Sequence, residues 1–328
     1  MINYGKHFIS KGDIKTVSKT LASDFLTQGP QIKKFENHLL SYFGGKYCKV
    51  VSNGTSALDL AVKSLNLKNK FNAVVPSNSF IATANCIKYN NGKVNFCDID
   101  LSTFNICLNS LKKILKKKKI DLLIAVDFAG NPCDWKNIRK LATDYKFKII
   151  NDNCHAIGSK YKKSTRYAIK YADIVTQSYH SVKNITTGEG GSVITNNFNV
   201  YKKIQKLSNH SIEKRGIKYP WHYEINNLGY NYRLTDFQSS LGISQLKKLN
   251  RKINLRRKIA FTYDKFFKSK KNFQTQKISI DAQSSYHLYP VLFPFKNLKE
   301  KNNFFIYMRN KGVNLQTHYI PIYKHNIY

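Results

Sequence analysis

Acidic residues are scarce in this chain. Its 328 residues include 19 Asp and Glu against 55 Lys and Arg, a formal charge of +36. Such a balance raises nucleic acid or a membrane surface as partners. Lysine, however, is spread along the whole length, and neither an aromatic-basic platform nor a recognition helix accompanies it. The reading is therefore no nucleic-acid partner and no membrane partner, with a basic surface that attracts anionic substrates. The densest run, LKKILKKKKI (111–120), has apolar residues at 111, 114 and 115, the spacing of an amphipathic helix with its lysines in water. Other absences narrow the class further. No apolar run reaches membrane-spanning length, and the opening MINYGKHFIS lacks the apolar core of a signal peptide. A soluble, cytoplasmic protein is expected. The six cysteines (48, 86, 97, 107, 133, 154) form no CxxC pair, so a disulfide frame and a zinc site are not expected, and no metal is. No Gly/Ser or Pro linker and no internal repeat interrupts the chain.

The residues that are present describe a packed protein. A hydrophobic fraction of 42%, with 20 Phe and 21 Tyr, excludes a disordered chain. The length suits two domains. NAVVPS (72–77), KVNFCDI (93–99), IDLLIAVDF (120–128), FKIIND (147–152), DIVTQSY (173–179) and GSVITN (191–196) read as strands apolar on both faces, as in a buried, mainly parallel sheet. Helix-length stretches at 56–67, 79–90, 109–118 and 135–146 alternate with them. That alternation implies a three-layer α/β/α domain over residues 1–245. A long helical pattern at 235–267 leads into a smaller α+β domain, residues 246–328, with strands expected at 286–293 and 313–319 and a helix at 297–311.

Four stretches can carry chemistry. In VVSNGTSALDLAV (50–62), a strand runs into Asn-Gly-Thr-Ser and then a helix, so the free backbone N–H groups at the helix start could take a phosphate. Thr55 or Ser56 could equally satisfy those donors as an ordinary helix cap. In IINDNCHAIGS (149–159), Asp152 ends a strand and His155 follows, where ligands of α/β sheets bind. Asp152 there could face a cationic ring nitrogen or cap a helix. In SYHSVKNITTGEGG (178–191), Ser178 ends another strand, and Lys183 lies in a loop leading to glycines that allow close backbone approach. A lysine amine can attack a carbonyl, although a surface lysine would surprise nobody in so basic a chain. In LGYNYRLTDFQSSLG (228–242), Asn231 and Arg233 precede a helix.

The order of these pieces carries a resemblance. NGTSAL, FIATANCI, the DNCHAIG segment, SYHSVKNITTGEGG and GYNYRLTDFQSSLGISQLKKL, with LTQGPQIKKFE (26–36) before them, resemble the DegT/DnrJ-type nucleotide-sugar aminotransferases. These are pyridoxal-phosphate enzymes with the aspartate-aminotransferase fold (fold type I). Within that family, SNSFIATANCIKY, DFAGNPCDW, SSYHLYPVLF and THYIPIYKHNIY look like the subgroup that aminates C4 of a UDP-linked 2-acetamido-2,6-dideoxy-4-keto sugar for pseudaminic acid.

The resemblance implies a pyridoxal 5'-phosphate cofactor, a nucleotide sugar and L-glutamate as substrates, and a homodimer with shared sites. By the same resemblance, Lys183 is the catalytic Schiff-base lysine and Asp152 pairs with the ring nitrogen. His155 stands near the ring's 3′-oxygen, where most of the family has Gln. Gly54, Thr55 and Ser178 match the phosphate cup, and Phe80 the aromatic on the ring face. Asn231 matches a residue reaching the neighbouring subunit's phosphate, and His318 and Tyr319 match sugar-nucleotide contacts. Related 3-dehydratases carry His at the Lys183 position, which argues against that reaction. Aminotransferases acting on other dTDP-, GDP- or UDP-keto sugars share these motifs. The resemblance departs at the end of the chain, where family members continue for some tens of residues. The small domain is therefore expected to be incomplete, and an inactive truncated relative stays open.

Overall fold

The computed structural model describes residues 1–213 and 219–328. Seven strands form a central sheet: β1 (Tyr47–Val51), β2 (Asn72–Pro76), β3 (Lys93–Cys97), β4 (Leu122–Val126), β5 (Lys148–Asp152), β6 (Ile174–Ser178) and β7 (Gly191–Thr195). Their order across the sheet is β1-β7-β6-β5-β4-β2-β3. The pairs β6–β5, β5–β4, β4–β2 and β2–β3 are parallel, while β7 runs antiparallel to both β1 and β6. Six strands therefore point the same way, and their carboxyl ends share one edge.

Alternation along each strand builds the two outer layers. Leu122, Ile124, Ile150 and Val193 face one core with α3 (Gly54–Ser64), α4 (Ala82–Tyr89) and α8 (Phe198–Leu207). Leu123, Ala125, Ile149 and Ile194 face the other core with α2 (Pro30–Phe43), α5 (Leu108–Lys117), α6 (Trp135–Tyr145) and α7 (Tyr167–Tyr171). Every residue of β4, β6 and β7 is buried. The three-layer reading and the alternating elements hold. The basic run at 111–120 is α5 up to Lys117, with Leu111 and Leu115 buried and its lysines outside.

Local chemistry sets the ends. α1 (Lys11–Leu21) begins in a capping box between Ser10 and Asp13. α2 has Pro30 in its first turn and stops at Gly44, whose φ of 73° is the left-handed conformation glycine tolerates. The single helical pattern expected over 235–267 is two helices, α9 (Asp236–Lys247) and α10 (Leu249–Lys268), broken at Lys248. There the Lys248 amine is drawn to Asp13 at 2.7 Å, tying the break to α1.

The later strands are shorter than expected. Val291–Leu292 pairs with Gln274–Thr275, and Val313–Asn314 pairs with Ile2–Asn3. Pro290 and Pro294 bracket the first of these and withhold donors. Residues 285–288 instead spend their backbone on the large sheet's loops: Ser285 N donates to Gly130 O at 3.1 Å and Leu288 N to Ala129 O at 3.3 Å. The helix expected at 297–311 is α11 (Leu298–Asn310). No helix among the described residues is long and apolar enough to cross a membrane.

Candidate active site

The carboxyl edge of the sheet gathers most of the candidate residues, because they end or follow strands pointing there. Asp152 is the last residue of β5 and Ser178 the last of β6. Gly54 opens α3 just beyond β1. Asn78 and Phe80 follow β2, and the turn Phe128–Gly130 follows β4.

Gly54 and Ser178 meet. A β-carbon added to Gly54 would lie 2.8 Å from Ser178 Cβ and 3.2 Å from its Oγ. A side chain at 54 would close the gap, and glycine leaves it open. The Asn53 carboxamide caps α3 by accepting from Ser56 N at 2.8 Å. The N–H groups of Gly54 and Thr55 ahead of it stay at the positive end of the helix dipole, beside the Ser178 hydroxyl, as an anion cup.

Asp152 is buried. Its Oδ2 accepts from Thr83 Oγ1 at 2.8 Å, and Thr83 is held in turn by Ser79 Oγ at 2.9 Å. Its Oδ1 accepts weakly from Cys154 N at 3.3 Å. A carboxylate fixed at a strand end is a partner for a cation.

Lys183 lies in the loop after β6, its backbone N–H donating to His180 O at 2.9 Å. The side chain is half-buried, and its amine has no hydrogen bond or ion pair with a described residue. Burial pulls its pKa below that of an ordinary lysine, against the opposing pull of Cys154 and Asp152. An amine held so is more readily neutral and thus nucleophilic.

His155 is buried and fully engaged. Ala129 N–H donates to its Nδ1 at 3.3 Å, so a neutral ring carries its proton on Nε2, which lies 3.3 Å from the Tyr319 hydroxyl. Burial first, then Lys183 and His318, hold its pKa well below the usual histidine range. Asn78 binds both sides of the His318–Tyr319 peptide: its Oδ1 accepts from Tyr319 N at 3.0 Å and its Nδ2 donates to His318 O at 3.4 Å. Phe80 is exposed at the rim, 5.9 Å ring to ring from Tyr319. Asn231 is exposed on a strand-like segment bridged to Asn209, and its neighbour Tyr232 accepts from Ser52 N at 2.9 Å.

Four residues of the site were not singled out from sequence. Thr83 and Asn78 lie within the quoted SNSFIATANCIKY, and Ser285 and His287 within SSYHLYPVLF. His287 packs on His155 with ring centroids 4.6 Å apart. The signal was there as polar residues inside apolar surroundings, but nothing local tells which partner each one meets.

Comparison with known proteins gives a consistent outcome. Residues 8–328 match the model of the DegT/DnrJ/EryC1/StrS aminotransferase family. A UDP-4-amino-4,6-dideoxy-N-acetyl-beta-L-altrosamine transaminase of Campylobacter jejuni subsp. jejuni serotype O:23/36 (strain 81-176) is 38% identical over 330 residues, covering 100% of this chain and 86% of that protein. The structure of Helicobacter pylori PseC, an aminotransferase involved in the biosynthesis of pseudoaminic acid, superposes with a TM-score of 0.92 at 31% identity, over 99% of this chain and 86% of that one. Spr1654 of Streptococcus pneumoniae in its PMP form gives a TM-score of 0.91 at 26% identity, over 100% and 88%. It is also known in a PLP form.

Proposed function

Since the chain belongs to the DegT/DnrJ/EryC1/StrS aminotransferase family, we propose that it moves an amino group from L-glutamate to C4 of a UDP-linked 2-acetamido-2,6-dideoxy-4-keto sugar. It is a sugar aminotransferase, and pyridoxal phosphate is its cofactor. The residues present fit that group. An anion cup stands at Gly54, Thr55 and Ser178, a buried carboxylate at Asp152, and an unpartnered amine at Lys183.

When bound, the cofactor supplies an electron sink for the carbon that exchanges its amine. The chain's own residues do the rest. Lys183 holds the cofactor covalently and, when free, moves the proton at the reacting substrate carbon; one amine placed beside both positions gives the proximity advantage. Asp152, steadied by Thr83, keeps the ring nitrogen protonated. His155, with its Nε2 beside the Tyr319 hydroxyl, would hold the cofactor on the side of its 3′-oxygen. Gly54, Thr55 and Ser178 take the phosphate, and Phe80 covers the ring face. His318 and Tyr319 contact the sugar nucleotide. Asn231, which is exposed, reaches a second copy's phosphate, which makes the active unit a homodimer.

The observation that carries this reading is the convergence of Lys183, Asp152 and the Gly54–Ser178 cup at one sheet edge. The identity to the C. jejuni transaminase and the fit to PseC support the UDP sugar. Incubation with L-glutamate and 4-keto sugars linked to UDP, GDP or dTDP tests it. The UDP-linked amino sugar and 2-oxoglutarate are expected in equal amounts. Turnover confined to another nucleotide, or none with glutamate, would overturn the substrate assignment.

A further inference from the structure

His287 is a buried histidine that no role above uses. Its ring packs on that of His155 in the candidate site. Nδ1 is shut in without a hydrogen-bond partner, while Nε2 also has none but is not shut in. An unsatisfied buried nitrogen is a standing cost. A phenylalanine would fill the same place without it, so packing alone does not account for this residue.

The segment is held deliberately. Arg256 Nη1, from α10, donates to the carbonyls of Tyr286 and His287 at 3.3 and 3.1 Å. Ser285 Oγ donates to His155 O at 3.1 Å. His287 is thus fixed relative to His155 from two sides. Besides its burial, the Lys183 amine and the Arg256 guanidinium act on its ring as cations. The open nitrogen therefore sits in a field that favours an anion.

We propose that His287 binds the carboxylate of the amino donor beside Lys183, with Arg256 positioning it there. In an amino acid the carboxylate is bonded to the very carbon that gives up the amine, so it must lie next to Lys183. In a nucleotide sugar the phosphates hang from C1, across the ring from C4. The anion nearest the reacting centre belongs to the donor. The neutral ring donates from Nε2 to that carboxylate. This inference rests on the aminotransferase reading above.

The two half-reactions separate the possibilities. In holoenzyme, glutamate converts the cofactor to its amine form, followed by the visible spectrum; the keto sugar converts it back. His287→Phe keeps the ring's shape and loses the nitrogens, whereas His287→Gln places an amide near the Nε2 position. In His287→Phe the half-saturating glutamate concentration should rise about tenfold to a hundredfold, with the sugar half-reaction within about twofold of wild type. His287→Gln should recover much of the loss. Independently, glutarate, a dicarboxylate with no amine, should shift the His287 ring resonances of the wild-type protein. Equal effects on both half-reactions, no effect on the donor, or a His287 signal indifferent to glutarate would overturn the inference. Wild-type protein that accepts no amino donor at all would instead sink the functional reading, and this inference with it.

Discussion

The Thr83 hydroxyl donates to Oδ2 of Asp152 at 2.8 Å, joining the first turn of α4 to the end of β5 across 69 residues of chain. It fixes one oxygen of a buried carboxyl group and holds it oriented. Thr83→Val keeps the shape and removes the donor. Losing one hydrogen bond to a charged group costs about 1.5–3 kcal/mol, so turnover should fall by roughly tenfold or more. Cofactor titration of the variant should show weaker binding, with the fold unchanged by circular dichroism.

Gly54→Ala tests the anion cup. The added carbon would meet Ser178 Cβ at 2.8 Å, closer than real contacts allow. Ser178 or the start of α3 must shift, which narrows the space for a phosphate. Cofactor affinity, read by absorbance, should drop by about tenfold or more, while Ser178→Ala, which removes one hydroxyl and adds no clash, should lose less.

The pair Asp13–Lys248 should set part of the acid stability. Burial pushes the Asp13 carboxyl up, but the Lys248 amine with Ser244 and Ser10 outweighs it and holds the group well below the usual carboxylate range. A depressed folded-state pKa adds stability that is complete above about pH 4 and is lost as pH falls toward the folded value. Lys248→Met leaves the fully buried Asp13 charge without its amine, at a cost of about 3–5 kcal/mol. Thermal melts at pH 7 should show the loss, and the difference from wild type should shrink as pH falls below about 4.

Much of this site was legible in the sequence because an α/β sheet sends its strand ends to one edge. Asp152, Ser178 and Gly54 each sit where a strand stops, so finding the strands placed them together. Sheet order was not legible, since β1 joins beside β7 through pairings that no local pattern encodes. Thr83 escaped notice because its partner lies far along the chain. Residues 286–293 were read as one strand on their apolar and aromatic character, but only Val291–Leu292 pair as strand and residues 285–288 do not. They dock instead through single bonds to Gly130 and Ala129, which are matters of tertiary placement. Lys248 broke a helix that periodicity alone made continuous, because its amine answers to Asp13.

One measurement decides whether Lys183, among 55 lysines and arginines, is the residue that carries the cofactor. Borohydride reduction of the loaded protein makes the covalent linkage permanent, and proteolysis with mass measurement then locates it. The added mass should fall on the peptide containing Lys183, and Lys183→Ala should show neither that peptide shift nor the visible absorbance of the bound cofactor. Mass found on a different lysine, or a Lys183→Ala protein that still turns over, would contradict the assignment.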